Sequence, residues 1–327
     1  MSLVNITIHA SQFPEAVRRD LRESLRTRRV NPKFHYDSVK QTHQWLALHQ
    51  AFSPSRHDAD CAATYNSGFA EAVARVGPRR AHLVGLGCGG GQKDTRLLQL
   101  LRGAGKEVSY TPCDVSPAMV LVARQTALAV VAEADCFPFV CDLASADDVA
   151  EALAGMGPPD AARLVTFFGM IPNFEPGVIL PRLARLLRKS DLLLFSANLA
   201  PGPDYAAGMR RILPQYDNPL TREWLLTFLL DLGIERGDGE LRFAIEDDPA
   251  GSGLKRVAAY FEFRRSREVA LDGEGFAFRA GESIRLFFSY RHTPALVREQ
   301  LRAHGLVVLK DWVARSEEEG VFLVQRG

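Results

Sequence analysis

A glycine-rich segment is the part of the chain best suited to bind a ligand. It has the sequence VGLGCGGGQK over residues 84–93, between an apolar run and a helix-like one. Glycines let the backbone turn sharply, and the turn after the first strand of a parallel sheet presents backbone amides and a helix N-terminus. A G-x-G-x-x-G register from Gly85 fits a dinucleotide, whereas a G-x-G-x-G register through Gly87 and Gly89 fits the methionine part of S-adenosylmethionine. A purely structural turn is the third interpretation.

Two aspartates follow predicted strands. Asp114 ends the next strand, 27 positions after Gly87, where its carboxylate could accept hydrogen bonds from both hydroxyls of a ribose. Its other interpretation is an N-cap for the helix that follows. Asp142 ends the third strand and could reach an adenine amino group, with Leu143 packing against the ring, or could stabilise a turn. Ligands of parallel sheets bind at the carboxyl ends of the strands, so we expect these residues at one edge.

The elements that must position these residues alternate between strand and helix. Five apolar runs predict strands at residues 82–87, 108–113, 137–142, 164–168 and 191–197. Four helices are predicted between them, at residues 93–102, 117–132, 145–154 and 177–188, the third opened by a capping box from Ser145 to Asp148. This alternation predicts a parallel, doubly wound α/β sheet with helices on both faces.

The rest of the chain has a different character. Residues 1–79 are predicted to be mostly helical, and two helices at 204–213 and 221–232 precede strands at 255–264, 274–279 and 283–290. A helix capped by Thr293 then leads to strands at 306–314 and 321–325, which predict an antiparallel hairpin added to the sheet. That ending is common in methyltransferase sheets and favours S-adenosylmethionine over NAD. Hydride transfer also lacks an evident agent, because His292 is expected to be an exposed loop residue.

Composition excludes several classes of function. Apolar residues make up 46% of the 327 and charged residues 24%, and no window has the ~18 uncharged apolar residues of a membrane span. A net charge of +1 gives no field to hold a polyanion, so neither membrane nor nucleic acid is an expected partner. Five cysteines without a CxxC pair, and no basic, apolar leader, indicate a reducing cytoplasmic setting. Cys136 and Cys141 are expected in the core rather than on a metal.

Four stretches resemble one known family in their order and spacing. They are residues 32–37 (PKFHYD), residues 86–97 (LGCGGGQKDTRL), Tyr216 with Asp217, and residues 280–285 (AGESIR) with Ser289. The sequence resembles the histidine Nα-methyltransferases of ergothioneine biosynthesis, the histidine-specific type of S-adenosylmethionine-dependent methyltransferase. The resemblance spans most of the chain and implies a class I methyltransferase (Rossmann-like) sheet with an inserted α+β substrate domain.

The resemblance also implies which residues hold the cofactor and the substrate. Those for S-adenosylmethionine are Tyr36, Gly87, Lys93, Asp114, Asp142 and Leu143, to which the glycine register adds Gly89. Those for the substrate are Phe52, Asn173, Tyr216, Phe287 and Ser289. The implied domains are a helical segment that joins the substrate domain (1–59), a cofactor-binding core (60–200), an inserted lid (201–287) and a C-terminal completion of the core (288–327).

Three positions depart from the family's pattern. Phe52 stands where the family has a tyrosine, and Phe287 stands where it has the glutamate that grips histidine. Both changes remove polar anchors, and an apolar wall should not hold an imidazole well. We therefore expect an aromatic or otherwise hydrophobic acceptor instead of histidine. Gly85 stands where the family has an acidic residue, two positions before the first loop glycine.

Together these observations predict a small-molecule methyltransferase. The resemblance alone implies that it acts on the nitrogen of an amino acid or amine, and the departures point away from histidine. In-line transfer from a sulfonium needs mainly positioning and no covalent intermediate. Tyr216 and Asn173 are the candidate catalytic residues, because an amine must first lose a proton. The alternatives are an NAD(P)-dependent oxidoreductase and a non-catalytic binding protein that retains the fold. A monomer or homodimer is expected, and the identity of the acceptor is left open.

Overall fold

The computed structural model describes residues 3–77 and 79–327 and groups them into two units. The first unit consists of the residues up to Gln12, Pro54–Leu199 and His292–Gly327. The second unit consists of Phe13–Ser53 and Ala200–Arg291. Within the described ranges, no helix has the length and apolar character needed to cross a membrane.

The described part of the chain forms thirteen strands and eleven α-helices. In chain order, the strands are β1 (Thr7–Ile8), β2 (Arg80–Leu86), β3 (Glu107–Asp114), β4 (Phe139–Val140), β5 (Ala162–Phe167), β6 (Leu192–Asn198), β7 (Gly239–Asp247), β8 (Lys255–Phe263), β9 (Arg267–Leu271), β10 (Glu274–Phe278), β11 (Ser283–Arg291), β12 (Leu306–Val313) and β13 (Glu319–Arg326), counted over the described residues. The helices are α1 (Pro14–Thr27), α2 (Val39–Phe52), α3 (Pro54–His57), α4 (Ala59–Arg75), α5 (Gln92–Gly103), α6 (Pro117–Ala127), α7 (Val149–Ala154), α8 (Pro176–Leu186), α9 (Tyr205–Tyr216), α10 (Pro219–Asp231) and α11 (Pro294–Ala303).

The first unit contains an eight-stranded sheet with the order β1-β4-β3-β2-β5-β6-β13-β12. The strands from β1 to β6 pair in parallel, and β13 runs antiparallel to both β6 and β12. Successive residues on the central strands enter different cores, since Leu83 and Leu164 pack with residues of α5, and Val84 and Val165 with residues of α8. Helices therefore cover both faces, and the predicted doubly wound sheet with its closing hairpin is confirmed.

The N-terminal region is mostly helical, as predicted, and its two-residue strand β1 pairs with β4. Two other expectations about local structure in this unit are wrong. The capping box before α7 does not form: the side chain of Asp148 caps nothing and instead hydrogen bonds to Nε2 of His9 at 2.9 Å. His292 is buried rather than exposed, because the chain runs on beside the sheet and its backbone N–H donates to the carbonyl of Asn198.

None of the five cysteines forms a disulfide, and all of them except Cys88 are buried. Cys136 and Cys141 are buried among apolar side chains on opposite faces of the sheet, as expected from the sequence. Over residues 3–77 and 79–327, no cluster of His, Cys, Asp or Glu side chains is arranged to hold a metal ion.

The second unit contains a three-stranded antiparallel sheet, with the order β11-β8-β7, and the separate hairpin of β9 and β10. β11 is continuous from Ser283 to Arg291, so the expected boundary at residue 287 falls inside a strand. The pairing of β11 with β8 shifts between Arg285 and Phe287, which leaves Leu286 as the extra residue of a bulge. Bulges change which way the following side chains point. The ring centre of Phe287, directly after the bulge, lies 6.2 Å from that of Tyr216 in α9.

Candidate functional site

The carboxyl edge of the first unit's sheet gathers most of the residues expected to bind the cofactor. β2, β3 and β4 run parallel, with Leu86 opposite Cys113 and Asp114 opposite Val140. The loop that begins at Gly87, the carboxylate of Asp114 and the turn at Asp142 therefore leave the sheet side by side. This edge is where open α/β sheets bind their ligands.

The glycine loop uses backbone conformations that other residues rarely adopt. Gly87, Gly89 and Gly91 have φ values of 65°, 50° and 75°, in the left-handed region that favours glycine. A Cβ on Gly91 would also lie 2.7 Å from the Cα of Ala123 in α6, so the loop packs closely against that helix. A Cβ on Gly87 would meet the side-chain sulfur of Met170 at 2.2 Å. These contacts explain why the loop is so rich in glycine.

Asp114 is buried at the end of β3 and accepts hydrogen bonds on both carboxylate oxygens. Oδ2 accepts from the backbone N–H of Gly89 at 3.2 Å, and Oδ1 accepts from that of Ser116 at 3.0 Å. Burial raises the pKa of Asp114 to about 6, although the backbone hydrogen bonds oppose the shift. Ser116 rather than Asp114 is the N-cap of α6, since its side chain accepts from the N–H of Met119. The competing interpretation of Asp114 as a helix cap is therefore wrong.

Asp142 is buried in a tight turn after β4. Its Oδ1 accepts from the N–H of Ala144 at 2.9 Å, and its own N–H donates to the hydroxyl of Ser11 at 3.1 Å. The side chain thus has the turn-stabilising function that was the alternative to adenine binding. Leu143 beside it is buried in the core. Sequence reasoning gave Ser11 no part in this turn, because the two residues are 131 positions apart.

Lys93 is directed towards a buried polar cluster. Its ammonium donates to the hydroxyl of Tyr65 at 2.9 Å and lies 4.1 Å from the centre of the same ring. The hydroxyl of Tyr65 donates to the carboxylate of Glu319 and lies 2.9 Å from the hydroxyl of Ser196. Burial lowers the pKa of Lys93, and the charge of Glu319 opposes that shift. Tyr65 therefore connects α4 and α5 with the ends of β6 and β13.

The groups at this edge fit an adenosyl sulfonium better than a pyrophosphate. Asp114 and Asp142 provide carboxylate oxygens, which can accept from ribose hydroxyls and from an adenine amino group respectively and would repel phosphates. A pyrophosphate needs loop amides and positive charge. Here the amide of Gly89 donates to Asp114, and the ammonium of Lys93 donates to Tyr65. The residues present are therefore suited to S-adenosylmethionine.

Four residues expected to contact cofactor or substrate lie in one cluster of the second unit. The hydroxyl of Tyr216 is 2.7 Å from that of Ser289, and the ring of Tyr216 is 6.2 Å from that of Phe287. Phe287 in turn is 5.8 Å from Trp224, which is 5.6 Å from Tyr36, all between ring centres. We call these five residues the aromatic cluster. It combines three contiguous ring contacts with one hydroxyl pair.

The other two expected substrate residues lie outside that cluster. Phe52 ends α2 in the second unit and is 53% exposed. Asn173 ends the short turn after β5 in the first unit. Sequence reasoning missed Trp224 and Arg291, whose Nε donates to the Tyr216 hydroxyl at 3.0 Å. The alternation of Phe287, Ser289 and Arg291 along one strand face is the signal that could have found Arg291.

Comparisons with known proteins identify one family and several similar solved structures. The model of the histidine-specific, S-adenosylmethionine-dependent methyltransferase family matches residues 15–326. A comparison with curated proteins finds no match. Similar solved structures include the magnesium protoporphyrin IX methyltransferase of Synechocystis PCC 6803 with bound SAH, at 14% identity over 90% of this chain and 97% of that one, with a TM-score of 0.47. Another is an S-adenosylmethionine-dependent methyltransferase from Clostridium acetobutylicum ATCC 824, at 11% identity over 87% of this chain and 98% of that one, with a TM-score of 0.46.

The family match decides between the two registers of the glycine loop. It covers the loop, the aspartates at the sheet edge and all of the second unit except residues 13 and 14. The cofactor is therefore S-adenosylmethionine, and the dinucleotide interpretation of the register from Gly85 is not retained. The chain belongs to the histidine-specific, S-adenosylmethionine-dependent methyltransferase family.

Proposed function

We propose that this S-adenosylmethionine-dependent methyltransferase methylates the nitrogen of a small amino acid or amine other than histidine, one with an aromatic or aliphatic side group. The proposal rests mainly on the identity and surroundings of Phe287. It stands where the family has a histidine-binding glutamate, and it is 8% exposed between Tyr216 and Trp224. A phenyl ring offers an imidazole neither a charge nor a hydrogen bond, so the polar edge of histidine would lose its partners there.

The aromatic cluster suits the chemistry of an amine acceptor. Aromatic faces attract a cationic ammonium within about 6 Å of the ring centre, a geometry that also suits methylated amines. Tyr36, Phe287 and Tyr216 are the proposed ring contacts, with Phe52 as a further one. An apolar side group of the acceptor would pack on the same rings. This set of residues favours an acceptor that combines an amine with an apolar body.

When bound, S-adenosylmethionine supplies an electrophilic methyl group on a positively charged sulfur. We propose that Asp114 accepts from its ribose and that Asp142 and Leu143 contact its adenine. The loop at Gly87 and Gly89 would pass close to its methionine part, a function the glycine conformations support. Tyr36 and Lys93 are kept as proposed cofactor residues by their match to the family.

The acceptor amine must be neutral to act as a nucleophile, so a proton has to leave it. Tyr216 is the proposed residue that orients the amine and relays its proton to water. Its hydroxyl pairs with Ser289 and also accepts from Arg291, so it is held in one orientation. Asn173 is proposed to orient the amino or carboxylate group of the acceptor. No covalent intermediate is needed for a transfer that depends on positioning.

An acceptor panel tests the proposal. Release of S-adenosylhomocysteine is measured with histidine, phenylalanine, tryptophan, aliphatic amino acids and simple arylalkylamines, and mass spectrometry locates the added methyl group. We expect N-methylation of an aromatic or aliphatic acceptor and little turnover of histidine. Phe287→Glu should raise the turnover of histidine relative to the other acceptors, whereas Phe288→Leu, a change on the opposite face of β11, should not. Histidine as the best wild-type acceptor, or a product methylated on oxygen, would refute the proposal.

A further inference from the structure

Gly85 has the carboxylate of Asp94 directly against it. A Cβ built on Gly85 would lie 2.0 Å from Oδ2 of Asp94 and 3.0 Å from the hydroxyl of Tyr110. Gly85 is not among the residues with positive φ, so its backbone conformation does not require glycine. The neighbouring carboxylate does require it, because no side chain at residue 85 fits while Asp94 keeps this position.

Asp94 is 3% exposed and is hydrogen bonded at both carboxylate oxygens. Oδ2 accepts from the hydroxyl of Tyr110 at 2.7 Å, and Oδ1 accepts from that of Thr166 at 2.7 Å. Tyr110 lies on β3 and Thr166 on β5, the two strands that flank β2. Burial raises the pKa of Asp94 to about 6, and the two hydroxyls act against that shift. One carboxylate from α5 therefore connects the two neighbours of the central strand.

The position of Asp94 in the helix relates it to the glycine loop. α5 begins at Gln92, directly after Gly91, and it has no side-chain N-cap. Asp94 is in the first turn of this helix, where a negative charge also interacts favourably with the helix dipole. The carboxylate thus anchors the first turn of α5, which follows the glycine loop, to the sheet.

We propose that Asp94 is the positioning residue of the cofactor loop and takes the place of the acidic residue that the family has at the position of Gly85. The carboxylate reaches the space beside the end of β2 from the helix rather than from the strand. The acid that is missing at residue 85 is then replaced by the carboxylate of Asp94, so a buried acid still lies beside the loop. Asp114, which accepts from the N–H of Gly89, holds the loop from the other side.

The test measures the dissociation constant of S-adenosylhomocysteine by calorimetry, well below each variant's melting temperature. Asp94→Asn keeps the shape but offers one of the two hydroxyls no acceptor, and we expect a loss of affinity of about tenfold. Gly85→Asp combined with Asp94→Ala returns a carboxylate to the same space from the strand. This double variant should recover affinity to within about threefold of the wild type. Glu71→Gln, which removes an acid from α4, is the control and should bind like the wild type.

If Asp94 only stabilises the fold and does not position the loop for the cofactor, the measurements should differ from those above. Asp94→Asn would then melt at a lower temperature but bind S-adenosylhomocysteine as tightly as the wild type, which would overturn the proposal. A double variant that binds no better than Asp94→Ala alone would overturn it as well. If Asp94→Asn does not fold, Tyr110→Phe and Thr166→Val each remove one donor, and unchanged affinity in both has the same consequence. A wild type that binds no S-adenosylhomocysteine would contradict the cofactor itself, so the two failures are distinguishable.

Discussion

The backbone amide of Gly89 donates to the carboxylate of Asp114 at 3.2 Å, so the residue proposed to hold the ribose also holds the glycine loop. The same carboxylate accepts from the N–H of Ser116 at the start of α6. One side chain therefore connects the cofactor loop, the end of β3 and the following helix. Its loss should affect cofactor binding through both the missing ligand and the released loop.

Asp114→Ala should weaken the binding of S-adenosylhomocysteine by about 100-fold or more. Hydrogen bonds to a charged group contribute about 1.5–3 kcal/mol each, and the ribose would lose two of them. Titration calorimetry gives the affinity. Ser116→Ala is the matched control, because it removes the cap of α6 and leaves the carboxylate. It should cost about 1 kcal/mol of stability and no affinity. Unchanged affinity in Asp114→Ala would rule Asp114 out as the ribose ligand.

Cofactor affinity should also fall below pH 6. Burial raises the pKa of Asp114 to about 6, and the ionised carboxylate is the better acceptor for ribose hydroxyls. Protonation of the free enzyme competes with binding, which for Asp114 alone lowers the affinity about tenfold between pH 7 and pH 5. Asp94 titrates in the same range, so Asp94→Asn should show a shallower decline than the wild type. Calorimetry at pH 5, 6, 7 and 8 measures this, and a flat profile would exclude an ionised Asp114 as ligand.

The central strands of the first unit's sheet could be predicted from sequence because they are buried on both faces. Such strands are short, continuous apolar runs bounded by glycine and polar turns, as β2 and β5 are. β7 in the second unit was missed, since most of its side chains are only half-buried and give no clear alternation. The capping box at Asp148 failed for another reason: its carboxylate has a distant partner in His9, which no local pattern shows.

The residues of the candidate site also fall into two groups, those that local sequence patterns predict and those that only the fold brings together. The glycine loop and Asp114 follow from local rules for the end of a strand and the turn after it. Arg291 and Tyr216 are 75 positions apart, and only the fold shows that they share a hydrogen bond. The replacement of an acid at residue 85 by Asp94 is also visible only in the structure. A comparison of sequence positions shows that residue 85 has lost its acid, but it does not show that the carboxylate of Asp94 lies in the same place. Tertiary contacts of this kind are what sequence reasoning could not reach.

Gly91→Ala should cost more stability than alanine at an open glycine with the same backbone conformation. Gly91 has φ 75°, and a Cβ there would lie 2.7 Å from the Cα of Ala123, which is backbone and cannot turn away. Gly105 has φ 78° with nothing within 4 Å of the added Cβ, so it is the control for strain alone. We expect losses of about 1 kcal/mol for Gly105→Ala and about 3 kcal/mol for Gly91→Ala by urea denaturation. Equal losses would show that the contact with α6 has no energetic consequence.

His35 should make the protein lose stability as the pH falls. Its ring is buried and its Nε2 donates to the carbonyl of Leu286 in the bulge at 2.6 Å. Burial lowers the pKa of His35 to about 4, whereas an unfolded histidine titrates near pH 6.5. Between these values the unfolded state binds a proton that the folded state does not, so stability decreases from pH 6.5 towards pH 4. The loss is about 2 kcal/mol at pH 5 relative to pH 7.

His35→Gln isolates this contribution, because glutamine keeps an N–H donor for the carbonyl of Leu286 and does not titrate. The variant should be less stable than the wild type at pH 7, since it lacks the ring that lies 5.2 Å from Trp224. At pH 5 the gap should narrow by about 2 kcal/mol, because only the wild type loses stability through His35. His82, also buried with its pKa lowered to about 4, is present in both proteins and cancels in the comparison. Urea denaturation at the two pH values measures the gap, and a gap of constant size would mean that His35 titrates normally in the folded protein.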